Sequence, residues 1–123
     1  MENRNLIIQD LFEYDKNIRY VAIRWEDEII KQQRDNICNS SSSDSDFYEE
    51  QIVNPCILLL GKQRGDIDCG GLRHVIIAYG NFFQVIRSLK KGHISICVEN
   101  VKNITEAADS ILCYIGDKYK QFF

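Results

Sequence analysis

The chain has 123 residues, 45% of them hydrophobic and 27% charged, with a formal net charge of −3 at pH 7. That length suits a single domain over 1–123 with its own core and argues against a second one. The mild negative charge gives no sequence-wide attraction to nucleic acid or to an anionic membrane.

The opening Met1–Asn5 is polar and the short apolar stretch after it lacks a secretory signal's apolar core. No window approaches the roughly 18 apolar residues that a membrane helix needs. A soluble, cytoplasmic protein with no membrane insertion is therefore expected. Five cysteines, at 38, 56, 69, 97 and 113, are odd in number and irregularly spaced, which suits neither a disulfide framework nor a Cys-x-x-Cys zinc site. Cys56, Cys97 and Cys113 fall in apolar periodic segments and are expected to be packed; Cys38 and Cys69 lie beside loops and are expected to be exposed.

In chain order, Leu6, Ile7, Ile8, Leu11, Phe12 and Tyr14 predict a short helix over 6–16. Residues 20–25, rich in aromatic and β-branched side chains, predict a strand that turns at 26–28 into 29–33. The polar run 38–46, with serines at 40–43 and 45, predicts a mobile loop. It reads as a tolerated insertion, dispensable for folding, more readily than as a phosphorylation tract. Asp46 with Glu49 offers a helix start, and the helical pattern runs to about Arg64, with Asn54-Pro55 allowing a kink or restart. Residues 72–79 have the character of a central strand. Strands at 82–89 and 93–99 follow across tight turns. Asn103 and Glu106 form a capping box ahead of a stripe from Ile104 to Tyr119 that predicts an amphipathic final helix.

The resulting order is α-β-β-α-β-β-β-α. With the segment Gly65-Asp66-Ile67-Asp68-Cys69-Gly70-Gly71-Leu72, then Val75–Phe82 and Gly92–Ile96, it resembles bacterial members of the Roadblock/dynein-light-chain superfamily. The likeness is strongest from Asn54 to Glu99; before residue 50 it rests on element order, and longin and profilin-like domains share much of that architecture. The resemblance implies a profilin-like α/β (α+β) sandwich with a five-stranded, mainly antiparallel sheet.

Little in the chain suggests chemistry. His74 and His93 have no patterned ligands around them and read as structural or surface residues. Gly61-Lys62-Gln63-Arg64-Gly65 lacks phosphate-loop spacing and follows a helix rather than a strand. Cys69 near His74 is the one thiol–base pairing, with nothing to complete it. Asp66 and Asp68 suit turn stabilisation better than acid/base work. No enzyme activity, cofactor or metal is expected.

The informative element is the second helix. Ile52, Cys56 and Leu59 make one stripe, Val53, Ile57 and Leu60 an adjoining one, and Leu58 falls away from the first. One face suffices for a helix on a small sheet. The surplus predicts either a partner subunit or packing beneath the first helix or the serine loop. Roadblock domains pair second helices and central strands across a two-fold axis. The resemblance therefore implies a dimer interface of Ile52, Val53, Cys56, Leu59, Leu60 and Gln63 with His74 and Ile76. It also implies a homodimeric platform that regulates or scaffolds a small Ras-like GTPase or, alternatively, a structural subunit of a motor, secretion or filament assembly.

Overall fold

The computed structural model describes residues 3–123. Its elements are α1 (Arg4–Tyr14), β1 (Ile18–Trp25), β2 (Glu28–Gln33), α2 (Ser43–Tyr48), a π turn (Glu49–Val53), α3 (Asn54–Asp68), β3 (Val75–Ala78), β4 (Phe83–Leu89), β5 (Gly92–Val98), α4 (Ile104–Lys118) and a closing 3-10 turn (Lys120–Phe122). The fold is α+β, built on one open sheet of five antiparallel strands in the order β2-β1-β5-β4-β3. Element order follows the expectation, with α2, the π turn and α3 forming one helical run over the segment where Pro55 allows two helices or one that kinks or restarts.

Strand alternation divides the sheet into unlike faces. Val21, Ile23, Val85, Ile94, Ile96 and Val98 point to one side and close a core with Ile7, Ile8 and Leu11 of α1 and Ala108, Ile111, Leu112 and Ile115 of α4. Burying a side chain of this size contributes about 1.5–3 kcal/mol, so this side dominates the cohesion of the domain. The α4 start is capped as expected: Asn103 accepts from the Glu106 backbone N–H at 3.2 Å and its Nδ2 donates to Glu106 Oε2 at 3.0 Å. The opposite face carries Tyr20, Ala22, Gln84, Ile86, His93, Ser95 and Cys97, mostly small or polar apart from the fully buried Ile86, and α2–α3 lies over it.

Several expectations need correction. The loop over 38–46 ends at Ser42, whose side chain accepts from Ser45 N–H at 3.2 Å and caps α2. Lys31 Nζ donates to Ser43 Oγ at 2.7 Å, and Arg19 donates to the Cys38 and Asn39 carbonyls at 2.7 and 3.1 Å. A register shift between Ile18 and Tyr20 frees Arg19 from the regular ladder for this contact. The serine segment is thus tied to the sheet at several points. The second helix continues past Gly65 to Asp68, so Asp66 and Asp68 are helical and pair with Lys62 and Arg64 at 2.5 and 2.7 Å. Reversal comes later, at Gly70 and Gly71 with φ of +78° and +89°. The strand expected over 72–79 is only Val75–Ala78 and lies at the sheet edge rather than its centre. Cys97 is buried, but Cys56 and Cys113 are exposed, because each faces away from the sheet on its helix.

Candidate interaction surface

The helical run above the polar sheet face is turned the opposite way from an ordinary amphipathic helix. Its inward positions are Asp46, Glu50, Asn54 and Leu58, spaced four apart, and all four are buried. Glu50 is the hub of the contact. Its Oε1 meets His93 Nε2 at 3.0 Å and accepts from Asn54 Nδ2 at 2.6 Å, while its Oε2 accepts from the Tyr20 hydroxyl at 3.0 Å. Beside it, Gln84 Nε2 donates to Ser95 Oγ at 2.8 Å. Burial pushes the Tyr20 hydroxyl far above its ordinary value, and the charges of Glu50 and Asp46 push the same way. Cys97 is raised for the same first reason, with Glu49, Glu50 and Asp46 adding to it.

Pro55 fixes how the run passes over the sheet. It has no N–H for the carbonyl of Gln51, four residues back, and its ring crowds that carbonyl. The chain responds with the π turn just upstream, where the Asn54 N–H reaches back to the Glu49 carbonyl. The Gln51 carbonyl takes a donor from outside, Arg24 Nη1 at 3.3 Å. The proline that left the sequence reading open between kink and restart therefore shifts the ladder without ending the helix.

With polar positions inward, the apolar surplus faces out. Ile52, Leu59, Leu60 and Ile67 are 49, 55, 66 and 75% exposed, and Cys56 and Gln63 are exposed between them. Leu58, which the stripes set apart, is the residue that packs on the sheet. Val53 is half-buried beside the stripe. The surplus is not covered by the first helix, because α1 lies on the other face of the sheet against β1 and α4.

β3 ends the sheet beside β4, the strand that α3 contacts. Val75, Ile76 and Ile77 remain partly exposed, and among the described residues β4 is the only ladder partner of β3. The far edge is protected differently: β2 carries Lys31, Gln32 and Gln33, and α1 reaches it through Arg4–Glu28 at 2.7 Å and Gln9–Gln32 at 3.1 Å. Ile76 packs against the aliphatic core on the α4 side. His74 precedes the strand; burial lowers its pKa, Asp109 opposes the shift, and Arg73 and Arg87 add to it. The helix residues named from the sequence thus form one surface, whereas His74 and Ile76 lie on the α4 side of the sheet and are not brought to it.

Sequence reasoning did not single out Glu50, and it placed His93 at a strand start with no partner. The available signal was the four-residue spacing of Asp46, Glu50 and Asn54, a polar stripe continuous with Leu58. Among the described residues, no helix is long and apolar enough to cross a membrane, and no group of three or more His, Cys, Asp or Glu side chains could hold a metal ion. No family model matches the chain, and no curated protein matches it.

Proposed function

We propose that this chain is a Roadblock-like, non-enzymatic homodimeric platform that regulates or scaffolds a small Ras-like GTPase. The observation that carries the dimer is the inverted helix: the run 46–68 buries carboxylate and amide groups against its own sheet and presents Ile52, Leu59, Leu60 and Ile67 to solvent. Exposed aliphatic side chains lining one helix face mark a surface that a partner covers. The edge strand supports the same reading. Val75-Ile76-Ile77 has the composition of a central strand, and pairing with the same strand of a second copy would make it one. A two-fold axis beside α3 and β3 would bury both features at once.

The GTPase part of the reading rests on the resemblance and on the sheet order β2-β1-β5-β4-β3, which suits a profilin-like domain. Affinity capture from the native cells with the protein as bait, in the presence of a GTP analogue or of GDP, tests it. The proposal expects a small GTPase retained in one nucleotide state; association with an assembly irrespective of nucleotide would favour a structural subunit instead.

A further inference from the structure

At the corner where the serine segment, the π turn and the β3–β4 connection meet, a cavity of about 440 Å³ is walled by Tyr48, Tyr79 and Phe82, with Asp46 and Glu49 on its lining. It is separate from the α3 stripe and shares only Val53 with the proposed dimer residues. The Tyr79 and Phe82 rings on that lining stand 5.6 Å apart and are tilted at 56° to one another. Aromatic faces attract a cation within about 6 Å of the ring centre. Phe82 already does this from within, since the Arg19 guanidinium sits 4.9 Å from its centroid. That cation is bonded to Glu99 at 3.2 Å, to the Cys38 and Asn39 carbonyls and, at 3.5 Å, to the carbonyl of Asn81 on the cavity's own lining.

The carboxylates here lack such a partner. Among the described residues, no lysine or arginine nitrogen lies within 4.0 Å of Asp46, Glu49 or Glu50. Neutral hydroxyls hold two of them: Tyr79 donates to Glu49 Oε1 at 3.1 Å, and Ser41 donates to Asp46. Glu49 is raised above its ordinary value by burial, with the charges of Glu50 and Asp46 adding to the shift and hydrogen bonds from the Tyr79 hydroxyl and the Gln84 side chain opposing it. A cation in the cavity would relieve that repulsion. The three aromatic rings on the lining suit an organic cation, which can lie against their faces. On the cavity's own lining, Tyr48 and Tyr79 are 57 and 41% exposed and leave a rim that a free small amine would not cover.

We propose that this corner binds a lysine or arginine side chain presented by a protein partner, the rings of Tyr48, Tyr79 and Phe82 flanking its stem and head and Glu49 meeting its charge. The test is aromatic NMR of the intact chain titrated with capped Gly-Lys-Gly and Gly-Arg-Gly, with capped Gly-norleucine-Gly as the uncharged control and choline as the free amine. The expected result is saturable shifts of the Tyr48, Tyr79 and Phe82 rings, with Tyr14 and Tyr114 on α1 and α4 unmoved. Binding of a basic peptide should be about 10-fold tighter than that of the norleucine peptide, a difference of the size a cation over aromatic faces supports. Glu49→Gln keeps an acceptor for the Tyr79 hydroxyl while removing the charge, and should weaken basic-peptide binding about 5-fold or more with an unchanged melting curve. Equal binding of the norleucine peptide, tighter binding of choline than of either basic peptide, or a Glu49→Gln protein that binds as well as the parent would each overturn the assignment.

Discussion

Glu50 Oε1 and His93 Nε2 meet at 3.0 Å between the helical run and the sheet, although 43 residues separate them in sequence, and both are almost fully buried. This contact, with Tyr20 and Asn54 gathered on the same carboxylate, sets which side of the helix faces down. The apolar side is outward because the polar side is held.

Glu50→Ala removes the acceptor of Asn54 Nδ2 and Tyr20 and the partner of His93 inside a closed layer. Polar groups buried without partners cost about 1–3 kcal/mol each, and loss of one member of a buried pair reaches about 3–5 kcal/mol. Urea unfolding should show a loss of about 3 kcal/mol; a change below about 1 kcal/mol would mean that the layer is not holding the helix.

Gly92 follows the tight turn at Lys90-Lys91 and lies against β1, where an added Cβ would come 1.8 Å from the Arg24 carbonyl oxygen. That atom is backbone inside a ladder and cannot step aside. Gly92→Ala should lower stability by about 2 kcal/mol or more, in the range of overpacked interiors, read as a fall in the thermal midpoint. An unchanged midpoint would show that the two strands can separate at this point.

How much of this was legible in the sequence differed element by element. The final helix was readable because Asn103, Glu106 and the 3.6-residue stripe act locally and agree with one another. The meander β4–β5 was readable because Ile94, Ile96 and Val98 alternate. The edge position of β3 was not, since Val75-Ile76-Ile77 looks like strand interior and only strand order decides its place. Helix α2 was hidden by composition: serines and aspartates that suggest a loop also make good caps and first turns, and Ser42 serves as one. The apolar stripe of the second helix was visible. Its outward direction was not, because it follows from Glu50 and His93, which no local pattern connects.

Ser42→Ala should cost about 1 kcal/mol, the usual effect of removing an N-cap side chain. Replacing 40–44 by a glycine-serine linker of the same length should cost more, since it also removes the Ser41 hydroxyl from Asp46 and the Ser43 hydroxyl from Lys31. Equal melting temperatures for the parent and both variants would show that the segment contributes nothing to the fold.

Asp10 gives a pH-dependent contribution. Hydrogen bonds from Lys118, at 2.8 Å, and from the Tyr119 hydroxyl hold its carboxyl below the ordinary 3.8, and Tyr119 itself is pushed up to about 12, chiefly by burial. A carboxyl with a depressed folded-state pKa adds stability that is fully present above its unfolded value and is lost as pH falls through the folded one. Asp10→Asn should therefore be less stable than the parent at pH 7, by about 1–2 kcal/mol for the lost charge-assisted bonds, with a shallower decline below about pH 4. Parallel stability curves for the two proteins from pH 7 to pH 2 would rule this role out.

The central claim is that the outward face of α3, with the β3 edge, is a self-association surface. Sedimentation equilibrium tests it most directly. At about 20 µM, a concentration above the dissociation constants of typical specific dimers, the parent should sediment at twice the 14.3 kDa chain mass. Leu59→Glu, which sets a charge in the centre of the exposed stripe, should sediment as a folded monomer with an unchanged circular dichroism spectrum. A parent protein that stays monomeric at that concentration, or a Leu59→Glu protein that dimerises as tightly as the parent, would contradict the account.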